Sequence, residues 1–110
     1  MTIEHSTLSA GGWEKLSLML QLANVGSEVE RALNWKTKNN TVYSQKAFER
    51  ALELLDLSLN SKTNITRYKE IARLRETLVD YFFGKNEFKS TEDSLKKYFF
   101  NFTYIARKEF

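Results

Sequence analysis

The stretch ITRYKEIARLRETLVDYFF, residues 65–83, indicates how this chain folds. Its apolar side chains recur at steps of three and four residues, which places them on one face of an α-helix. This stripe comprises Tyr68, Ile71, Ala72, Leu78, Val79 and Phe82. We therefore predict a helix over residues 65–83 that ends before Gly84, because a glycine in the left-handed conformation commonly follows a helix.

Three further segments share this periodicity, and polar runs separate them. We predict that Thr41 caps the second helix and that the run Ser90-Thr91-Glu92-Asp93 caps the last, with a hydroxyl followed by an acid three residues on. Gly26 lowers the helix propensity of the first segment, so we expect a neighbouring helix to approach it closely. The four predicted helices cover residues 13–38, 41–59, 65–83 and 90–108.

Composition supports the same architecture. The chain has 110 residues, of which 42% are hydrophobic and 28% charged, with four glycines and no proline. This is the size and balance of one globular domain in which helices predominate. Short connections between amphipathic helices favour antiparallel neighbours. We therefore predict an all-α, four-helix up-down-up-down bundle over residues 1–110, with residues 1–12 as a flexible N-terminal arm.

Residue usage excludes several kinds of chemistry. The chain has no cysteine and a single histidine, His5, which excludes disulfides, thiolate nucleophiles and multi-histidine metal sites. No glycine-rich phosphate loop, catalytic triad or dinucleotide fingerprint is present. We predict no catalytic residue, no metal and no cofactor.

Charge and hydropathy bound the partners and the location. The net charge is only +3, and acidic residues are interspersed among the basic ones. This pattern favours a mixed, solvated surface over nucleic-acid binding, although it leaves the latter open. No signal peptide and no apolar run of membrane-spanning length is read, so we expect a cytoplasmic protein that does not enter membranes.

Arg75 is the first candidate functional residue. On a helical projection it lies on the inward face of the third helix, where an apolar residue would be expected. A buried cation needs a partner, and the candidates are Glu28 on the first helix and Glu53 or Asp56 on the second. The Arg75 side chain either reaches the rim of the bundle, forms a buried or half-buried ion pair that sets helix register, or binds an anion through its arginine fork.

Four aromatic residues form the second candidate. Trp35, Tyr81, Phe100 and Tyr104 lie off the inward faces of their helices. Together they suggest a contiguous apolar patch, which is typical of a partner surface. We predict an isologous homodimer through the first or last helix. The alternative is that the small bundle covers these side chains with its own last helix.

A family resemblance adds an expectation about function. Residues 13–33, followed by YSQKAFERALELL at residues 43–55, resemble small prokaryotic helical-bundle proteins, similar in general design to the HEPN and nucleotidyltransferase-substrate-binding bundles. Those bundles partner small nucleotidyltransferases or act as RNases. The nuclease members carry an Arg and then a His on a late helix, whereas Arg73 and Arg75 here are followed by no His. No catalytic residue is therefore carried over.

Three hypotheses follow. The first is a non-enzymatic protein-interaction module, dimeric and with a further protein partner, which the resemblance suggests is a small nucleotidyltransferase. The second is an RNA- or nucleotide-handling enzyme of HEPN type with an altered site. The third is that the protein binds a small ligand between its helices.

Overall fold

The computed structural model describes residues 12–108, except for the side chains of residue 14 and residues 105–108. Apart from Gly12, the predicted N-terminal arm lies outside the described residues, as does His5. Residues 12–108 form four α-helices and two short 3₁₀ turns and contain no strand, which confirms the all-α four-helix class. The helices are α1 (Leu18–Thr37), α2 (Thr41–Leu59), α3 (Tyr68–Phe82) and α4 (Glu92–Lys108), and the turns are Trp13–Lys15 and Lys62–Arg67.

The first helix begins five residues later than predicted. Ser17 is its N-cap, and the Ser17 hydroxyl oxygen accepts a hydrogen bond from the backbone N–H of Leu20 at 3.2 Å. Leu16 is in the extended conformation and separates α1 from the turn that contains Trp13. The separate turn lets the Trp13 ring enter the core, where it is almost completely buried.

The second helix is capped by Asn40 and not by Thr41. Oδ1 of Asn40 accepts from the backbone N–H of Tyr43 at 3.0 Å. The preceding residue, Asn39, has φ 60°, a left-handed conformation that asparagine tolerates better than most residues. The pair Asn39-Asn40 thus ends α1 and starts α2, and Thr41 becomes the first helical residue.

The third helix begins at Tyr68, because residues 62–67 form a 3₁₀ turn that leaves Ile65 exposed. It ends at Phe82, one residue before the predicted end. Gly84 is not in the left-handed conformation that we predicted. It is required for space instead, because a Cβ there would lie 2.9 Å from the backbone oxygen of Asp80.

The last helix has a reciprocal cap between two hydroxyl residues. Oγ1 of Thr91 accepts from the backbone N–H of Ser94 at 3.0 Å, and Oγ of Ser94 accepts from that of Thr91 at 2.8 Å. Ser94 therefore takes the position of the acid in a capping box. The predicted cap was one residue too early.

The helix α1 is central, since it packs against α2 and against α4, while α3 packs against α2. The start of α1 meets the end of α2, where Ser58 donates to Gln21. The end of α1 meets the start of α2, where Ser44 donates to the carbonyl oxygen of Ala32. These two helices are therefore antiparallel, as their short connection predicts.

The helices α2 and α3 are also antiparallel. Phe48 stacks on Phe82 with ring centroids 4.5 Å apart, and Asp56 pairs with Arg75 at the opposite end of the contact. Each large core side chain stabilises the fold by about 1.5–3 kcal/mol through burial. The largest fully buried apolar side chains are Trp13, Leu33, Phe48, Leu54, Leu55, Ile71 and Leu78.

Candidate functional site

Arg75 lies at the rim of the bundle and not inside it. Its side chain is 38% exposed, and its Nε lies 2.9 Å from Oδ1 of Asp56, whose side chain is 50% exposed. The buried positions of α3 are Ile71, Leu74 and Leu78. Arg75 is therefore half-buried and not fully buried, because Leu74 takes the inward position and leaves the next residue along the helix at the water boundary. Its partner is Asp56, one of the acids that the sequence suggested.

The buried charge is Glu28, whose side chain is only 5% exposed. Its Oε2 lies 3.0 Å from Nε of Arg50 on α2, and its Oε1 lies 3.3 Å from Nη1 of Arg31. Both arginine side chains are more than a third exposed, so they stay hydrated while they satisfy the carboxylate. Glu28 therefore joins α1 to α2 in an ion pair separate from the pair of Arg75 with Asp56.

A buried hydrogen-bond network around Gln21 joins α1 to the end of α2. Oε1 of Gln21 accepts from Oγ of Ser58 at 2.8 Å and from Nδ2 of Asn64 at 2.9 Å. Its Nε2 donates to the carbonyl oxygens of Trp13 and Leu16 at 3.0 and 3.2 Å. The Gln21 amide thus uses both donors and both acceptor positions, so it has no capacity left for a ligand.

Neither this network nor the burial of Glu28 was predicted from the sequence. The available signal was spacing, because Gln21 and Glu28 alternate with Val25 and Ala32 at helical steps along the buried face of α1. A polar residue within an apolar stripe predicts a buried polar contact when a partner exists. The partners lie on other elements, and the sequence alone does not identify them.

A groove of about 340 Å³ lies between α1 and α4. Phe100 and Tyr104 stand on its rim, and 64% and 53% of their surfaces are exposed. We call this surface the α1–α4 groove. It is lined by Gly26, Ser27, Val29, Glu30, Leu33, Leu95, Lys96, Phe99, Phe100, Thr103 and Tyr104.

Gly26 lines the α1–α4 groove and lies directly against Phe99 of α4. A Cβ placed on Gly26 would lie 2.8 Å from Cβ of Phe99, which is closer than two such carbons pack. Phe99 is itself buried against α1. The close approach predicted at Gly26 is confirmed, and the neighbour is α4.

Trp35 and Tyr81 belong to a different surface, where the α1–α2 turn meets the end of α3. The ring of Trp35 meets that of Tyr43 edge to face, with centroids 4.9 Å apart. Nζ of Lys38 lies 5.2 Å from the Trp35 centroid, and Nζ of Lys36 lies 4.5 Å from the Tyr81 centroid. We call this surface the lysine–aromatic end. It comprises Trp35, Lys36, Lys38, Tyr43, Lys46, Tyr81 and Phe83.

The four aromatic residues singled out in the sequence are therefore distributed over two surfaces, where one contiguous patch was predicted. Phe100 and Tyr104 border the α1–α4 groove. Trp35 and Tyr81 are only partly exposed, because neighbouring side chains cover them. Burial raises the pKa of Tyr81 above its usual value, and the negative charge of Glu92 raises it further.

A cleft between α3 and α4 contains the half-buried ring of Tyr98. Burial raises the pKa of Tyr98, and the nearby Glu70 carboxylate raises it further, while Arg67 opposes the shift. Glu70 pairs with Arg67 at 2.7 Å on the surface, and this hydrogen bond lowers the pKa of the Glu70 carboxyl. The cleft is mainly apolar and contains no cluster of acids or bases.

The described part of the chain holds no group of three side chains of the metal-binding types placed around a common point. In the same part of the chain, none of the helices combines the length and the apolar character needed to cross a bilayer. Comparisons of the chain with protein-family models, curated proteins and solved structures found no match. The resemblance to HEPN and nucleotidyltransferase-substrate-binding bundles therefore stays a prediction.

Proposed function

We propose that this protein is a non-enzymatic binding module that associates with a second copy of itself through the α1–α4 groove. One observation carries the proposal: the same face presents both an exposed aromatic ring, Phe100, and an open groove beside it. A two-fold interface requires a face that is complementary to itself. In such a dimer, Phe100 of each copy enters the groove of the other.

The charges of this face suit the same arrangement. Glu30 lies on the α1 side of the groove and Lys96 on the α4 side, with the exposed Lys97 next to it. A face with charges of both signs can meet its own copy without opposing like charges, whereas a face of one sign cannot. In the dimer, the exposed aromatic rings would be the apolar surface that becomes buried, and the charges would fix the orientation of the two copies.

The size of the face sets the expected affinity. The helix α4 has 17 residues, which corresponds to about 26 Å, and a face of two packed helices is about 20 Å wide. Each copy therefore contributes about 500 Å², which is below the roughly 800 Å² per partner of a stable interface. We expect a dimer that dissociates on dilution.

Sedimentation velocity over a wide dilution series tests the dimer. We expect the wild type to change from dimer to monomer on dilution, and Phe100→Glu to be monomeric throughout, because the change replaces an apolar contact with a carboxylate that must lose its hydration in the interface. The matched control is Ile65→Glu, which introduces the same charge at an exposed apolar residue on the 62–67 turn. Circular dichroism should show unchanged helix content in both variants.

The proposal fails if the wild type is a monomer at the highest attainable concentration. It also fails if Phe100→Glu dimerises as strongly as the wild type. A loss of dimerisation in Ile65→Glu as well would place the contact elsewhere on the molecule.

The identity of a further protein partner stays a prediction. The resemblance suggests a small nucleotidyltransferase, and co-purification with such an enzyme encoded next to this gene is the measurement that tests it. The enzymatic alternative also stays a prediction, and it requires RNA cleavage that is lost in Arg75→Ala.

A further inference from the structure

We propose that the lysine–aromatic end binds a short acidic peptide segment that carries one aromatic or large aliphatic anchor residue. This surface lies apart from the α1–α4 groove, and the inference does not depend on the dimer. Three features indicate this partner: the positive charge of the lysines, the apolar groove beside them, and the position of the lysines over the aromatic rings.

Three lysines give the lysine–aromatic end a positive charge. Lys36 and Lys38 end α1, and Lys46 lies in the second turn of α2, so the tight α1–α2 turn brings three exposed ammonium groups to one end of the bundle. Within residues 12–108, the ion pairs of the structure involve none of these three lysines. Their charges are therefore available to an anionic partner.

The lysines are already positioned on aromatic rings. The Nζ atoms of Lys36, Lys38 and Lys46 lie 4.5, 5.2 and 6.0 Å from the centroids of Tyr81, Trp35 and Tyr43, respectively. A cation above a ring face is weakly attracted to it. This contact restricts the conformations of each lysine side chain. Binding of a carboxylate therefore costs less conformational entropy than it would at a freely moving lysine.

A groove of about 200 Å³ next to these lysines provides an anchor site. Its floor contains Phe48, which is buried, and one wall is Phe83, which is 59% exposed and lies 5.0 Å from Phe48 between ring centroids. Lys36 and the hydroxyl of Thr41 stand on the rim. An apolar floor with a cationic rim suits a large apolar side chain flanked by carboxylates.

The covering of the rings favours a peptide over a single-stranded nucleic acid. Bases bind such surfaces by stacking on open aromatic faces, but lysines lie over the rings of Trp35 and Tyr81.

Fluorescence anisotropy with a labelled peptide tests the inference. The probe is a short run of Asp and Glu with one Phe at its centre, and the second probe replaces that Phe by Ser. We expect the wild type to bind the first probe about tenfold more tightly than the second, because burial of the ring contributes to affinity. Binding should weaken as salt is raised.

Matched variants identify the surface. Reversal of the three lysines (Lys36→Glu, Lys38→Glu and Lys46→Glu) should abolish binding, and Phe83→Ser should remove the preference for the Phe probe. The control reverses three exposed lysines outside this surface (Lys15→Glu, Lys62→Glu and Lys69→Glu) and should keep binding. A wild-type readout independent of variant folding is the indole N–H NMR signal, which should shift for Trp35 and not for the buried Trp13.

Three results would overturn the inference. The first is no binding of the Phe probe at any concentration, with no shift of the Trp35 signal. The second is equal loss of binding in both triple variants, which would mean that only net charge matters. The third is tighter binding of a labelled oligouridylate than of the peptide at this surface, which would assign the surface to single-stranded RNA.

Discussion

Burial of the carboxylate distinguishes two arginine–carboxylate pairs that otherwise look alike. Arg50 and Arg75 each bind an acid on a neighbouring helix through Nε, at 3.0 and 2.9 Å, respectively. The acid of the first pair, Glu28, is almost completely buried, whereas Asp56 in the second is half exposed. Sequence analysis named both acids, but it had no means to rank their burial.

We predict that Arg50→Ala is more destabilising than Arg75→Ala. Loss of Arg50 leaves the Glu28 carboxylate buried with only the longer contact to Arg31, which costs about 1–3 kcal/mol in the free energy of unfolding. Loss of Arg75 removes an exposed ion pair, which is worth about 0.2–1 kcal/mol. Urea unfolding of both variants measures the difference, and equal costs would contradict the burial of Glu28.

We also predict that Tyr98 makes the fold sensitive to alkaline pH. The pKa of Tyr98 is raised above 10.0 in the folded protein, mainly by burial. Its contribution to stability is therefore complete below pH 10.0, the usual value, and is lost as the pH rises through the raised pKa. Tyr98→Phe should flatten the decline of unfolding free energy at alkaline pH, and an unchanged decline would show that the ring titrates as in water.

The sequence predicted which segments form helices better than it predicted where each helix begins and ends. The three- and four-residue periodicity of apolar residues identified all four helices. The starts of α1, α2 and α4 depend instead on the capping side chains of Ser17, Asn40 and Thr91, which compete with neighbours of similar chemistry. The start of α3 has no side-chain cap. The facing of α3 was misjudged by one residue because Leu74 and Arg75 are adjacent, and only the packing against α2 decides which one is buried.

The contact between α1 and α4 gives a prediction for Gly26. In a free helix, alanine at this position would add about 1 kcal/mol of stability. Here its Cβ would meet Cβ of Phe99 at 2.8 Å, and this atom cannot move without its backbone. We therefore expect Gly26→Ala to destabilise the fold by about 1–3 kcal/mol through overpacking.

Thermal unfolding measures this effect, and Ser27→Ala is the matched control on the same turn of α1. Ser27 is exposed and its hydroxyl only bonds back to the carbonyl oxygen of Ala23, so the change should be within about 0.5 kcal/mol. A stabilised Gly26→Ala variant would show that α4 does not pack as closely as described.

For the molecule as a whole, composition and periodicity predicted the fold class but not the distribution of surfaces. The four outward aromatic residues were expected to form one patch. The faces of separate helices become neighbours only through the packing of the helices, and here this packing creates the α1–α4 groove and the lysine–aromatic end. The sequence shows that these lysines are present, but it does not indicate that they lie over the rings of Trp35 and Tyr81.

The Gln21 network has a consequence for how this sequence can change over time. The Ser58 hydroxyl and an amide N–H of Asn64 both donate to the buried amide of Gln21, so an apolar residue at position 21 leaves buried donors without a partner. Apolar residues at positions 21, 58 and 64 would still leave the buried indole N–H of Trp13 without its acceptor, the Ser58 hydroxyl, so Trp13 belongs to the same group. Positions 13, 21, 58 and 64 should therefore be inherited as a unit, constant together or substituted together, even though they are far apart along the chain.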